Sequence, residues 1–367
     1  MHYLSINSNQ LYRKLVSGLS QVKVPSKHLD SIDSLRGLSV LAVCLFHFAG
    51  RDGFLPDDLI KQFARNSTGV IQFFVISGFV IPWSMVRGGY RLSDFPRFLL
   101  RRLVRLEPPY LVALCSVVVL SVVYGWVKGQ PFPPTPGWWS QVLSHLGYTT
   151  RFFGFDWLDD VYWTLAIEFQ FYLLIGLTFP LLSQAHSLTR WAATIVFVLI
   201  GLSAFVLPIK VTVLTYTPIF ALGIVVFQYR SGLINWRMLW MTLVALTAFI
   251  WWMSTAKIAL VAGATAAVIA NVDRGWAPLT RLGAVSYSLY LFHATLGGAI
   301  INLGIKHTNT AAGRYLVLVA ALTASVVVAI AVYWLVERPA QRLSALIRYR
   351  PKNKVAEPIL DAPTTLY

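Results

Sequence analysis

The sequence predicts an all-α, polytopic membrane helix bundle with about ten transmembrane helices. Three observations carry that expectation. The 367 residues are 56% hydrophobic and only 13% charged, against about 25% charge in soluble domains. The mean hydropathy is +0.62. The apolar residues fall in runs long enough to cross a bilayer core, divided by basic or Pro- and Gly-containing stretches. Length alone would suggest two or three soluble domains, but that spacing favours one membrane domain over residues 30–340.

Residues 1–29 read as an N-terminal arm with a short surface helix around LYRKLVSGL. The arm has no long apolar run, so no cleaved leader is expected. The first span covers 34–50, within DSIDSLRGLSVLAVCLFHFAG. A polar connection leads to the second, 69–86, where Pro82 is expected to bend the helix or SGF to mark close packing. A basic segment with Arg87, Arg91, Arg97, Arg101, Arg102 and Arg105 precedes the third span at 106–126. The EPPY stretch at 107–110 restricts the backbone there. Residues 128–160 form the longest loop, and its Pro, Gly and aromatic content suits an interfacial segment or a cover over a pocket. The fourth span, 161–182, carries Glu168. Six more follow at 191–208, 211–228, 237–254, 257–271, 282–303 and 315–336, and the tight LPIK junction allows nine or ten in all. A basic, surface-exposed tail is expected from 338, with 341–367 outside the domain.

The formal charge is +16. In a soluble protein this would point to nucleic acid. Here the basic residues sit between apolar runs, so topology and contact with anionic lipid headgroups explain them, and no nucleic-acid partner is expected. Placing both termini in the cytoplasm and alternating sides puts most of the 31 Lys and Arg inside. Arg36 then lies at the cytoplasmic end of the first span and His47 toward its outer end. Cys44 and Cys115 both lie in apolar runs and are expected to be buried thiols, with no metal cluster.

Ionisable residues inside such spans are costly unless they face protein or a cavity. Asp33, Arg36 and His47 fall near one face of the first helix, with Arg36 and His47 about 16 Å apart along its axis. His47 can accept and return a proton near neutrality and is the first candidate for a general base; a packed, hydrogen-bonded histidine is the alternative. Glu168 lies at similar depth by position and is a candidate partner, with a structural salt bridge as its alternative. Tyr172 shares a helix face with Glu168 and is expected to line the same cavity. Arg101, Arg102 and Arg105 suit either headgroup contact or a phosphate-rich ligand. His293, in SYSLYLFH, is a second polar group for the cavity or an interhelical hydrogen bonder. Ser77 has neither nucleophile-elbow glycines nor a local histidine and is not assigned as an acyl nucleophile.

Taken in order, these motifs resemble the acyltransferase-3 family of integral membrane O-acyltransferases. Arg36 and His47 match an Arg–ten residues–His signature. FFVISGF at 73–79, RRLVRLEPPY at 101–110, WTLAIEFQFY at 163–172, SYSLYLFH at 286–293 and ERP at 337–339 follow. Thr164 replaces the family's Ser, and Ile71–Gln72 stand where many relatives carry an acidic residue. The chain is similar to the stand-alone form, without a C-terminal hydrolase-like domain. The resemblance implies transfer of an acyl group, commonly acetyl, from acetyl-CoA or another acyl-CoA to a hydroxyl of a carbohydrate or glycolipid acceptor. It implies donor-phosphate contacts at Arg101, Arg102 and Arg105, and a cavity or donor role for Arg36. His47 would be the base or transient acyl carrier, tuned by Glu168, with Asp33, Tyr172 and His293 around the substrates. The rival class is a transporter or flippase that uses the same polar residues as a proton path.

Overall fold

The computed structural model describes residues 29–50, 54–56, 59–65, 68–205 and 212–349. Residues 1–28 of the expected arm, the LPIK junction and residues 350–367 lie outside the described residues. The described residues form helices and connecting turns with no β-strand. In chain order the helices are α1 (Asp30–Ala49), α2 (Leu59–Arg65), α3 (Gly69–Gly88), α4 (Phe95–Lys128), α5 (Trp138–Leu146), α6 (Tyr162–Leu182) and α7 (Ser187–Leu199). Then follow α8 (Val213–Arg230), α9 (Trp236–Met253), α10 (Ala256–Asn271), α11 (Ala277–Ala284), α12 (Ser286–His307) and α13 (Ala311–Leu346). Among the described residues, eight are long and apolar enough to cross a membrane: α1, α3, α4, α6, α8, α9, α12 and α13. α7 and α10 are shorter apolar helices at the fifth and eighth expected spans. The protein is thus a polytopic membrane helix bundle.

Close helix approach is written in glycine. A Cβ on Gly78 of α3 would overlap the Phe220 carbonyl of α8, and one on Gly223 of α8 would overlap the Val75 carbonyl of α3. The SGF of the second span therefore marks packing, as small residues do between membrane helices. Gly37 of α1 and Gly283 of α11 make the same kind of contact, against the backbones of Leu279 and Asp33. Gly89 ends α3 in the left-handed region at φ 66°, and its N–H returns to the helix's last carbonyls.

Two apolar clusters flank the bundle's centre. One gathers Phe74, Phe79, Phe171 and Phe220 from α3, α6 and α8. The other gathers Val40, Phe48, Tyr110 and Leu289 from α1, α4 and α12. A cavity opens between them.

Three expectations change. The third span is not confined to 106–126: α4 runs unbroken from Phe95 through Pro108 and Pro109 to Lys128. A proline deletes one helical hydrogen bond and crowds the preceding turn, but Pro109 and Tyr110 are buried and packing carries the helix through. Cys44 is buried as expected, but Cys115 is exposed. α4 turns Val119, Leu120, Val123 and Trp126 outward, and an apolar run does not distinguish a lipid-facing position from a core one. The chain after 338 is not simply a surface tail. α13 continues through a π turn at Tyr333–Glu337 to Leu346, and Ala340, Ser344 and Tyr349 are buried. Arg97 donates to the Tyr349 carbonyl at 2.9 Å, so α4 holds this segment.

The segment between α4 and α6 is a cap. Tyr148 stacks on Tyr110 and Phe169 and donates to Glu107 at 2.6 Å. His145 Nδ1–H donates to the Gln141 carbonyl at 2.8 Å, and Nε2 accepts the Leu158 N–H at 3.1 Å. Trp139, Leu143, Phe152 and Phe153 are exposed, as in an interfacial segment.

Candidate active site

The cavity has a volume of about 120 Å³. Arg36 enters it from α1, Ser77 from α3, Arg102 and Arg105 from α4, Glu168 and Tyr172 from α6, and Glu337 from α13. Ser286, Tyr287 and Tyr290 line it from α12.

Helical spacing explains most of this convergence. Arg102 and Arg105 are one turn apart, as are Glu168 and Tyr172. Tyr172 donates to Glu168 Oε1 at 2.5 Å, and Ser77 donates to the same oxygen at 3.2 Å. Arg102 donates to Ser84 at 2.5 Å, with its guanidinium 5.5 Å from the Phe98 ring centroid and 5.6 Å from that of Tyr172. The buried Arg102 Nε has no hydrogen-bond partner among the described residues. Glu337 Oε2 accepts Ser288 O–H at 2.6 Å and Ser288 N–H at 3.3 Å, and Oε1 accepts from Gln341 at 2.9 Å. Among the described residues, none of Arg36, Arg102 and Arg105 makes an ion pair with a carboxylate. Three guanidinium groups thus face two carboxylates across a partly desolvated space. Such a site favours an incoming anion, above all one with several oxygens to accept their N–H groups.

From the cavity onward, α12 carries polar groups on one face at Ser286, Tyr290 and His293. The Tyr290 hydroxyl lies 2.6 Å from Thr164 Oγ1 and 3.2 Å from the Val161 carbonyl. His293 is fully buried. Its ring centroid is 5.1 Å from that of half-buried His47 and 5.8 Å from that of Tyr290. Thr295, on the following π turn, donates to Asp159 of the cap at 2.6 Å. Among the described residues, no group of three or more His, Cys, Asp or Glu is placed to hold a metal ion.

The sequence-predicted residues therefore divide. Arg36, Arg102, Arg105, Glu168 and Tyr172 share the cavity. His47 pairs with His293 beyond the Tyr290 layer. Glu168 bonds Tyr172 and Ser77 and makes no hydrogen bond to His47. At the start of α6, Tyr162 is fully buried against Tyr110 and His145 of the cap. Arg101 faces the Tyr349 ring at 5.7 Å and does not line the cavity. Asp33 lies where α1 meets α11, its backbone against Gly283. Glu337, Ser77, Ser286, Tyr287 and Tyr290 join the cavity wall without having been singled out as site residues. Their motifs, ERP, FFVISGF and SYSLYLFH, were the available signal.

The family's sequence profile, described as an acyltransferase domain, matches residues 29–334. The chain belongs to the acyltransferase-3 family. Among curated relatives, O-acetyltransferase OatA of Staphylococcus aureus is 29% identical over 169 residues, taking in 42% of this chain and 25% of OatA. Peptidoglycan O-acetyltransferase OatA of Listeria monocytogenes is 30% identical over 161 residues, 40% of this chain and 24% of that one. This chain thus covers about a quarter of the OatA proteins. Nodulation protein 10 of Rhizobium leguminosarum bv. viciae is 23% identical over 365 residues, 87% of this chain and 95% of that relative. No solved structure matches. In this acyltransferase-3 domain, the cavity and the histidine pair are where chemistry is to be sought.

Proposed function

We propose that this protein is a membrane O-acetyltransferase of the bacterial cytoplasmic membrane. It moves acetyl from cytoplasmic acetyl-CoA to a hydroxyl of a cell-envelope or exported carbohydrate. Domain 30–340 holds the activity, and the arm at 1–29 and the tail at 341–367 are both cytoplasmic. The observation that carries this reading is the convergence of Arg36, Arg102 and Arg105, without ion-pair partners among the described residues, on one cavity of an acyltransferase-3 domain. On this reading Arg102 and Arg105 hold donor phosphates, Arg36 steadies the donor, and the acyl-bearing arm extends toward His47.

At His47 the acceptor hydroxyl gives up its proton to the imidazole, and its oxygen forms the new ester bond to the acyl carbon. The carbon–sulfur bond breaks, and the thiolate takes back the proton as free coenzyme A. The carbonyl oxygen gains negative charge in between. Glu168 is held in place by Tyr172 and Ser77, which both donate to its Oε1.

Purified protein in lipid, incubated with acetyl-labelled acetyl-CoA and envelope glycan fractions, tests the reading. Label in a glycan ester that disappears in His47→Ala, with insertion unchanged, is the expected result. Normal transfer by His47→Ala removes His47 from the chemistry. Glycan movement across the bilayer without label would replace the enzyme with a transporter or flippase.

A further inference from the structure

His293 opens a π turn, His293–Gly297, and is fully buried. Its Nδ1 lies 2.8 Å from the Tyr290 carbonyl oxygen and 3.2 Å from that of Leu289. Carbonyl oxygens only accept, so Nδ1 carries the proton and Nε2 carries the lone pair. That Nε2 is buried with no hydrogen-bond partner among the described residues. A buried acceptor left so is costly and calls for a donor.

Three rings surround His293: His47 at 5.1 Å, Tyr290 at 5.8 Å and Phe48 at 6.0 Å between centroids. Phe48 has no polar hydrogen. The Tyr290 hydroxyl is engaged with Thr164 and the Val161 carbonyl. Asp159, on the cap, accepts from Thr295 and from the Val161 N–H. Of the three rings, His47 is the one with an N–H to turn toward Nε2. Two imidazoles joined by an N–H···N bond of about 3 Å have centroids about 5 Å apart. The observed centroid spacing of 5.1 Å matches that of such a pair.

We propose that His293 is a positioning residue for His47, fixing the tautomer in which one His47 nitrogen donates to His293 Nε2 and the other presents its lone pair to the acceptor hydroxyl. The inference rests on the reading of His47 as the base. It moves His293 from the substrate contact expected of it to a place behind the base, since a fully buried ring cannot touch an acceptor that reaches His47. When His47 takes the acceptor's proton, the ring keeps its hydrogen bond to His293 Nε2 and so its orientation. The π turn is part of the device: it begins at His293 and then aims Thr295 at the cap.

The test uses the full chain, labelled with 15N-histidine, in phospholipid nanodiscs without substrate. The expected result is a through-hydrogen-bond 15N–15N coupling between His47 and His293, with His47 in a single tautomer. His293→Phe should divide His47 between tautomers and lower kcat about 100-fold or more with little change in KM. His293→Gln, whose amide oxygen reaches the Nε2 position, should restore both to within about tenfold. Absence of the coupling in the unmutated protein overturns the proposal, as do unchanged His47 signals in His293→Phe or equal losses in the Phe and Gln variants. The coupling needs no turnover. A paired spectrum in a protein that transfers no acyl group would therefore sink the acetyltransferase reading and leave the pair standing.

Discussion

Tyr172 and Glu168 are one helical turn apart on α6, and the phenol donates to Glu168 Oε1 at 2.5 Å. The same ring lies under Arg102. Tyr172 therefore links the carboxylate to the arginine side of the cavity. Removing only its hydroxyl leaves the packing and strips a donor from a charged acceptor, a bond worth about 1.5–3 kcal/mol. Tyr172→Phe should lower kcat/KM for acetyl transfer by about 10- to 100-fold while the protein still inserts and folds. Wild-type kcat/KM in this variant would make the bond incidental to turnover.

The arginines separate by facing. Arg102 and Arg105 line the cavity, whereas Arg101 lies over Tyr349. Alanine at 102 or 105 should weaken acetyl-CoA binding by about tenfold or more, while alanine at 101 should change it by less than about threefold. Titration calorimetry on the three variants reads this directly. Equal weakening by all three would show that net positive charge, and not placement, holds the donor.

Gly78 and Gly223 bring α3 and α8 together backbone to backbone. An added Cβ at either meets a carbonyl on the opposite helix, not the end of a flexible side chain. Overpacking of this kind costs about 1–3 kcal/mol. Gly78→Ala and Gly223→Ala should each lower the thermal unfolding midpoint in detergent. Gly125→Ala, where a Cβ would meet nothing nearer than the Gln130 carbonyl at 3.5 Å, should not. A Gly78→Ala midpoint equal to that of Gly125→Ala would refute the close approach.

The cap should loosen in acid. Burial pushes the His145 imidazolium below its ordinary value of 6.5, partly opposed by the bond to Gln141. Because the folded value is the lower one, the cap's stability from this residue is complete above 6.5 and is lost as pH falls below it, through the folded value. Protonation of Nε2 also ends its acceptance of the Leu158 N–H. Deuterium uptake over residues 138–162, corrected for intrinsic rates, should rise between about pH 7.5 and about pH 5.5. His145→Gln should flatten the change. Equal pH dependence in both proteins would remove His145 as its source.

The ten apolar runs were legible because lipid demands long, internally hydrogen-bonded segments, and that demand is written locally. α7 and α10 fell short of full span length because run boundaries do not say where a helix stops packing. Much of the site was also legible: Arg36, Arg102, Arg105, Glu168 and Tyr172 are polar residues in apolar surroundings and share one cavity. Glu337 was harder to see, because a π turn aims it inward from a stretch that reads as the start of a basic tail.

By itself the sequence determined that this is a membrane helix bundle and which polar residues its interior must accommodate, since burying each has a cost set by its own chemistry. Only the tertiary structure decided which of them meet. Glu168 joins the arginines where α4 and α6 line one cavity, and His47 joins His293 where α1 meets α12. Depth counted along one helix cannot fix such pairings: they depend on where each helix begins relative to its neighbours, which contacts distant in sequence set.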